Sequence, residues 1–269
     1  MTHPPLFMIH GMWATPATFT GLRAHLEAAG HVTHAPALPF HDRSPVALPP
    51  PELGRVGVAD YVDFLVAEVA KLPELPIIAG HSMGGFLAQA VAARVQPPGL
   101  MLFAPAATAT TNVPALDPVR TLARVITRGN WWRSPTKIDA DHARWGIYNE
   151  VPADIADAEI AGLVWDSGRV LFEMALPWLA RTNATQVDYA RLRCPALVIV
   201  GDRDRITSAA IARATARQLG GAVDYHELPG VGHWLWWGGV GERVAGLVEH
   251  WLATTHADAT AARSYSPDH

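Results

Sequence analysis

Cysteine and lysine are both scarce in this sequence of 269 residues. The one cysteine is Cys194, so no disulfide can form within the chain, and its place before an apolar run indicates a small buried residue. Lysine occurs only at Lys71 and Lys137, and neither Lys nor Arg forms a cluster. With a net charge of −4, the sequence lacks the basic surface that nucleic acid requires. We therefore expect no nucleic-acid partner.

Long apolar stretches are missing as well. No run approaches the roughly 20 apolar residues of a membrane-spanning helix. The N-terminus, MTHPPLFMIHG, has neither the basic start nor the apolar length of a signal peptide. We therefore expect no stable membrane insertion and a cytoplasmic location. A composition of 49% hydrophobic and 17% charged residues suits one large buried core, as a monomer or homodimer.

Short apolar runs bounded by Gly or Pro alternate with longer helix-like segments. Such runs predict strands buried on both faces, and the alternation predicts an α/β fold, a mostly parallel central sheet flanked by helices. Strands are predicted at residues 6–9, 77–79, 100–104, 196–200 and 223–228, with a weaker one at 31–35. Helices are predicted at 17–29, 58–72, 83–95, 208–219 and 240–252, most of them ending at Gly or Pro.

A segment of different composition and periodicity separates the predicted strands at 100–104 and 196–200. It is rich in tryptophan, contains helix-like stretches at 118–128 and 153–163, and shows no convincing strand. A structureless loop of this length is improbable in a compact domain. We therefore predict a core formed by residues 1–105 and 191–253, with a helical cap inserted at 106–190. Residues 254–269 lack apolar periodicity, so we predict a mobile C-terminal tail there.

The stretch IIAGHSMGGF contains the pattern G-x-S-x-G around Ser82, after a predicted strand and before a predicted helix. A sharp strand-to-helix turn would strain the serine backbone and project its hydroxyl, and Gly80, Gly84 and Gly85 would relieve the crowding. The Met83 amide, at the helix N-terminus, would then face developing negative charge. The pattern alone equally allows a tight turn in which Ser82 only caps the helix.

A serine nucleophile needs a base, and the base needs an orienting acid. Asp202 and Asp204 follow one predicted strand, and His233 follows the next. The carboxyl ends of parallel strands meet at one edge of a sheet, so these side chains are expected to gather there. Asp202 is suited to turning the chain, whereas Asp204 lies deeper in the loop. We therefore predict Ser82, Asp204 and His233 as the catalytic residues.

The first strand ends in the turn HGMW at residues 10–13. Acyl transfer requires a second backbone N–H opposite that of Met83, and this turn offers the amide of Met12 or, as the alternative, of Trp13. We predict Met12 and Met83 as the oxyanion hole, and Trp13, His81 and Trp234 as substrate-binding residues. No set of His, Cys and acidic residues has a recognisable metal-ligand spacing, so we expect neither metal nor cofactor.

The motifs HGMW, GHSMGG, GDRD and GVGH, in this order, resemble the α/β-hydrolase fold family, specifically its small, cap-bearing bacterial serine esterases and lipase-like members. The resemblance covers residues 6–252. It implies the nucleophile at Ser82, the acid at Asp204, the base at His233, and the oxyanion donors at Met12 and Met83. Because the first predicted strand resembles the family's third, we expect the usual leading hairpin to be missing.

The resemblance implies hydrolysis of an acyl substrate. Epoxide hydrolases and haloalkane dehalogenases of this fold carry aspartate where this sequence has Ser82, so an ester is favoured over an epoxide or halide. The tryptophans and the lack of a cationic anchor favour a neutral, small hydrophobic acyl substrate. Four alternatives stay open, which are a thioesterase or amidase, a cofactor-free haloperoxidase-like enzyme, a carbon–carbon bond hydrolase, and a slow-turnover binding protein.

Overall fold

The computed structural model describes residues 4–264. In this part of the chain the main sheet has six strands, all parallel, in the order β2-β1-β3-β4-β7-β8. Its strands are β1 (Leu6–Ile9), β2 (Thr33–His34), β3 (Ile77–His81), β4 (Leu100–Phe103), β7 (Ala196–Gly201) and β8 (Val223–Leu228). The prediction of a mostly parallel sheet flanked by helices is confirmed, because every residue of β1, β3, β4 and β7 is buried.

The helices of the core follow the predicted segments with small shifts. They are α1 (Thr20–Ala28), α2 (Val58–Val69), α3 (Met83–Val95), α9 (Ala209–Gln218) and α10 (Gly238–Ser264). A short 3-10 helix, Pro16–Phe19, takes the start of the first predicted helix. Buried residues occur all along α3, which lies in the middle of the core, and the helix ends where Gln96 adopts a left-handed conformation before Pro97.

The last helix is longer than the sequence pattern predicted. α10 continues past residue 252 to Ser264, through an alanine-rich stretch that favours helix without an apolar stripe. The predicted mobile tail, 254–269, thus begins on this helix, and residues 265–269 lie outside the described part of the chain. None of the helices between residues 4 and 264 is both long and apolar enough to cross a membrane.

Residues 106–190, here called the insertion, lie between β4 and β7. They form α4 (Leu116–Ile126), α5 (Ala140–Gly146), α6 (Ala153–Gly162), α7 (Gly168–Ala175) and α8 (Pro177–Ala180). They also contain an antiparallel pair of short strands, β5 (Pro135–Thr136) and β6 (Asp166–Ser167), where the sequence predicted no strand. Two residues per strand leave no alternation to detect, so this pair was missed.

Two hydrophobic clusters fill the described part of the molecule. The larger lies around the sheet and its helices. The smaller belongs mainly to the insertion, but Trp13 and Trp234, from loops at the carboxyl edge of the sheet, are part of it. The insertion therefore packs on the loops that follow β1 and β8. Its apolar side covers the edge where a parallel sheet places its site.

The strand order reverses beside β1, whose neighbours are β2 on one side and β3 on the other. In open α/β sheets, ligands bind outside the carboxyl ends of the strands at such a switch point. The loop after β1 carries the HGMW turn, and the loop after β3 carries Ser82. The topology thus brings these two motifs together at the predicted edge.

Candidate active site

Ser82 lies in the sharp turn between β3 and α3. Its backbone has φ 58° and ψ −123°, a conformation that is costly for a residue with a side chain. The turn is held by backbone hydrogen bonds, since the Ser82 amide donates to Phe103 O at 3.0 Å, and the Ser82 carbonyl accepts from Gly85 and Ala106, each at 2.9 Å. The side chain makes no capping hydrogen bond to the helix. The reading of Ser82 as a helix cap is therefore not supported.

The glycines around Ser82 are required by close backbone approach. A Cβ on Gly80 would lie 2.0 Å from the carbonyl oxygen of Gly84, and one on Gly84 would lie 2.0 Å from that of Ile9. A Cβ on Gly11, in the loop after β1, would lie 3.0 Å from the Ser82 Cβ. The Ser82 turn and the HGMW loop are therefore in contact.

The carboxylate of Asp204 faces Nδ1 of the His233 imidazole. His233 Nδ1–H donates to Asp204 Oδ2 at 2.7 Å, and both side chains are almost completely buried. Asp204 Oδ1 accepts the amides of Ile206 and Thr207, both at 2.8 Å, and the Thr207 hydroxyl lies 2.9 Å from Oδ2. Burial alone would raise the pKa of Asp204, but the charge of His233 and these hydrogen bonds outweigh it and lower the pKa. The carboxylate accepts a hydrogen bond from Nδ1–H of His233, which leaves the lone pair of the neutral imidazole on Nε2.

The other candidate acid, Asp202, has a structural partner. Its Oδ1 accepts the amide of Gly230 at 2.7 Å, which joins the loops after β7 and β8 on the exposed surface. Of the two aspartates considered from sequence, the structure places Asp204 against His233. Ser82 and His233 line one cavity, although among the described residues no hydrogen bond joins Ser82 Oγ to the imidazole. Such contacts are often long in unliganded enzymes and tighten when substrate binds.

The amides of Met12 and Trp13, in the loop after β1, differ in whether they are occupied. The Trp13 amide donates to Asp166 Oδ2 at 3.1 Å and is therefore occupied. The amides of Met12 and Met83 donate to no acceptor among residues 4–264, and both residues line the cavity that contains Ser82. Of the two amides that the sequence left open, Met12 is the one available to a substrate oxygen.

His10 holds the same loop from behind. Its Nδ1–H donates to Gly11 O at 3.0 Å, and its Nε2 accepts the Leu38 amide at 3.1 Å. This pattern needs a neutral ring. Burial, followed by the nearby charge of His41, lowers the pKa of His10 to about 3. The HGMW pattern predicts His10 only as part of a turn, because no local signal in the sequence marks these hydrogen bonds.

The three predicted substrate-binding residues line the cavity. Trp13 and Trp234 are almost completely buried in its wall. His81 also contributes to the wall, but its Nε2–H donates to the carbonyl of His233 at 3.1 Å. Burial, followed by the charge of His233, lowers the pKa of His81 to about 3, so this ring is a neutral donor that braces the loop of the base.

A second buried histidine–aspartate pair lies behind the HGMW loop. His41 Nε2 is 3.0 Å from Asp166 Oδ2, and neither side chain is exposed. Burial alone would lower the pKa of His41 and raise that of Asp166, but each charge stabilises the other, so the pKa of His41 is raised and that of Asp166 lowered. No sequence pattern indicates this pair, because His41 lies in a loop and Asp166 in a strand of two residues.

The cavity above Ser82 has a volume of about 450 Å³. None of the described residues that line it is Asp, Glu, Lys or Arg. The insertion supplies most of the wall through apolar side chains, namely Val113, Leu122, Ile126, Trp131, Ile147, Leu163, Leu171, Met174, Leu176 and Trp178. Of the five tryptophans in the insertion, Trp131 and Trp178 reach the cavity. Between residues 4 and 264 no three His, Cys, Asp or Glu side chains are grouped as a metal site would require.

Comparison with known proteins gives a family and a fold. The model of the alpha/beta hydrolase family matches residues 6–247. A monoacylglycerol lipase from Paleococcus ferrophilus superposes with a TM-score of 0.67 at 20% identity, over 94% of this chain and 97% of the lipase. A methylesterase from Arabidopsis superposes with a TM-score of 0.68 at 13% identity, over 93% of this chain and 99% of the methylesterase. An esterase from Thermogutta terrifontis superposes with a TM-score of 0.67 at 21% identity, over 95% of this chain and 91% of the esterase. At these identities the similarity shows the fold, and comparison with curated protein sequences gave no significant match.

Proposed function

The chain belongs to the alpha/beta hydrolase family, and from this premise we propose that it is a serine hydrolase that cleaves a neutral, hydrophobic carboxylic ester. The observation that carries the proposal is the buried His233–Asp204 hydrogen bond of 2.7 Å at the cavity that contains the strained Ser82. A base with an orienting acid beside a projecting hydroxyl is the arrangement that activates a serine.

The proposed reaction uses the groups of this site in turn. His233 Nε2 takes the proton of Ser82 as Oγ attacks the ester carbonyl, and the Asp204 carboxylate stabilises the imidazolium that forms. The amides of Met12 and Met83 bind the oxyanion of the tetrahedral intermediate. The imidazolium then protonates the leaving alcohol, and a water activated by the same histidine releases the acid and restores Ser82.

The lining and the volume of the cavity support this substrate class. Because no charged side chain of the described residues lines it, a substrate with a carboxylate, phosphate or ammonium group would lose its hydration without gaining an ionic partner. A volume of about 450 Å³ suits an ester with an apolar acyl or alcohol group of moderate size. Three structural neighbours are a lipase, a methylesterase and an esterase, which supports ester hydrolysis.

The insertion serves as the cap of this enzyme in our proposal. It supplies most of the apolar wall, and it contacts the loops of both the oxyanion hole and the acid. Asn149 Nδ2 donates to Arg203 O at 2.8 Å, beside Asp204, and Val164 N donates to Trp13 O at 2.7 Å. Substrate bound beneath the insertion would be shielded from water except for the one that hydrolyses the acyl-enzyme.

A fluorophosphonate probe and a chain-length series of p-nitrophenyl esters test the proposal. The wild-type protein should be labelled at Ser82, as located by peptide mass spectrometry, and should release p-nitrophenol over many turnovers. The Ser82→Ala variant should show neither result, while circular dichroism confirms that it is folded. A wild-type protein that the probe does not label would refute the serine hydrolase, and labelling with a single turnover would favour a binding protein.

A further inference from the structure

Trp13 adopts a backbone conformation that is unusual for a large side chain. Its φ is 59°, in the left-handed region that disfavours residues with a Cβ. Both polar groups of its backbone are held by the insertion. The Trp13 amide donates to Asp166 Oδ2 at 3.1 Å, and the Trp13 carbonyl accepts the Val164 amide at 2.7 Å. One short segment of the insertion thus fixes the strained residue of the HGMW loop at two points.

The neighbouring peptide is fixed from the other side. The Gly11 carbonyl accepts His10 Nδ1–H at 3.0 Å and the Ala14 amide at 3.3 Å. In a planar trans peptide the carbonyl and the amide of the next residue point in opposite directions. The Met12 amide must therefore point away from the His10 ring. It lies in a residue of the cavity wall and has no acceptor among residues 4–264.

Asp166 is suited to hold this loop because each of its carboxylate oxygens accepts a hydrogen bond. Oδ1 accepts the Tyr61 hydroxyl at 2.8 Å and the Ser167 amide at 2.6 Å. Oδ2 accepts the Trp13 amide and lies 3.0 Å from His41 Nε2. His41 Nδ1 lies 3.0 Å from the carbonyl of Pro39, so both ring nitrogens face acceptors, as in an imidazolium. A neutral side chain at position 166 could not accept from all of these donors.

We propose that Asp166, which the insertion contributes, is a positioning residue for catalysis that completes the oxyanion hole by holding the HGMW loop. By taking the Trp13 amide, Asp166 keeps Trp13 in its left-handed conformation and leaves the Met12 amide for the substrate oxygen. The proposal rests on the proposed function, since an oxyanion hole has meaning only for acyl transfer. It implies that segment 164–166 stays packed against the HGMW loop during turnover, because moving the segment away would break its hydrogen bonds to Trp13.

Entry of substrate must then occur elsewhere on the insertion. Val119 of α4 and Trp178 of α8 both line the cavity and are also 55% and 65% exposed, so they lie at its mouth. Val164 and Asp166, by contrast, are buried. Opening between α4 and α8 would admit an apolar ester without disturbing the Trp13 contacts.

Asp166→Asn tests the proposal against the matched control Glu173→Gln. Glu173 is also a buried carboxylate of the insertion that accepts a core amide, that of Val58 at 2.7 Å, but it lies away from the HGMW loop. A misplaced oxyanion donor should lower kcat for a p-nitrophenyl ester by about 10-fold to 100-fold with KM nearly unchanged. Glu173→Gln should keep both constants, and melting curves should show that each variant is folded.

Two further measurements separate positioning from a general loss of order. An alkyl trifluoromethyl ketone, whose adduct with Ser82 carries an oxyanion, should bind Asp166→Asn more weakly by the same factor as kcat falls. In ¹H–¹⁵N spectra, the amide resonances of Trp13 and Met12 should move in Asp166→Asn but not in Glu173→Gln. If Asp166→Asn does not fold, Tyr61→Phe removes one donor to Asp166 Oδ1 and should lower kcat in the same direction by a smaller factor.

Equal losses of kcat in Asp166→Asn and Glu173→Gln would overturn the proposal, as would a rise in KM with kcat unchanged. Unmoved Trp13 and Met12 resonances in Asp166→Asn would overturn it too, and this result does not depend on turnover. Failure of the proposed function is a different outcome, because it is seen in the wild-type protein, as the absence of labelling at Ser82.

Discussion

Asp202 and Asp204 occupy the same loop, yet their carboxylates have different partners. Asp204 accepts from His233 Nδ1 in a buried site, whereas Asp202 accepts an exposed backbone amide. We expect Asp204→Asn to lower kcat by roughly 10⁴-fold, because an amide would stabilise the wrong tautomer of His233. Asp202→Asn should leave kcat nearly unchanged. Steady-state kinetics on one p-nitrophenyl ester distinguishes the two, and similar losses would argue against Asp204 as the only orienting acid.

The junction between β1, β3 and α3 depends on glycine where backbones touch. A Cβ on Gly84 would meet the carbonyl oxygen of Ile9 at 2.0 Å, and neither backbone can move without displacing Ser82. Gly84→Ala should therefore lower the free energy of unfolding by about 3 kcal/mol or more. The control is Gly246→Ala in α10, where nothing lies within 4 Å of the added Cβ, and stability should rise by about 0.5–1 kcal/mol. Urea unfolding measures both, and a neutral Gly84→Ala would disprove the close approach.

The elements of the core were predictable because their signals are local. The run at 6–9 is apolar throughout, and Gly221 and Pro229 flank the run at 223–228, so both strands have the predicted bounds. The second strand, β8, contains Asp224, His226 and Glu227 and is mostly half-buried, so the prediction that it is buried on both faces is wrong. The helix at 83–95 was also predicted to the residue, since Ser82 starts it and Pro97 follows it. The β5–β6 pair and the length of α10 were missed, because neither has an apolar repeat that a periodicity can detect.

At the scale of the whole molecule, the site lies between the core and the insertion, and this division explains what the sequence could predict of it. Ser82, Asp204 and His233 follow β3, β7 and β8, which are parallel strands of one sheet, so topology alone was enough to bring them to one edge. Asp166, in contrast, accepts a hydrogen bond from the Trp13 amide, although the two residues are 153 positions apart in the chain. No strand order specifies where the insertion sits on the sheet. The contact therefore depends on tertiary packing that no local pattern encodes.

Two neutral histidines buried at this junction predict how the whole fold responds to acid. Burial lowers the pKa of both His10 and His81 from 6.5 to about 3. Between these two pH values the two imidazoles bind protons in the unfolded chain but stay neutral in the folded chain. Their contribution to stability is complete above pH 6.5 and is lost as the pH falls toward 3, by up to about 1.4 kcal/mol per pH unit for each ring. His10→Gln should remove roughly half of this slope in urea unfolding, whereas His250→Gln, on the exposed surface, should keep it. An unfolding free energy that stays constant from about pH 6.5 to about 4.5 would show that these rings are not held neutral.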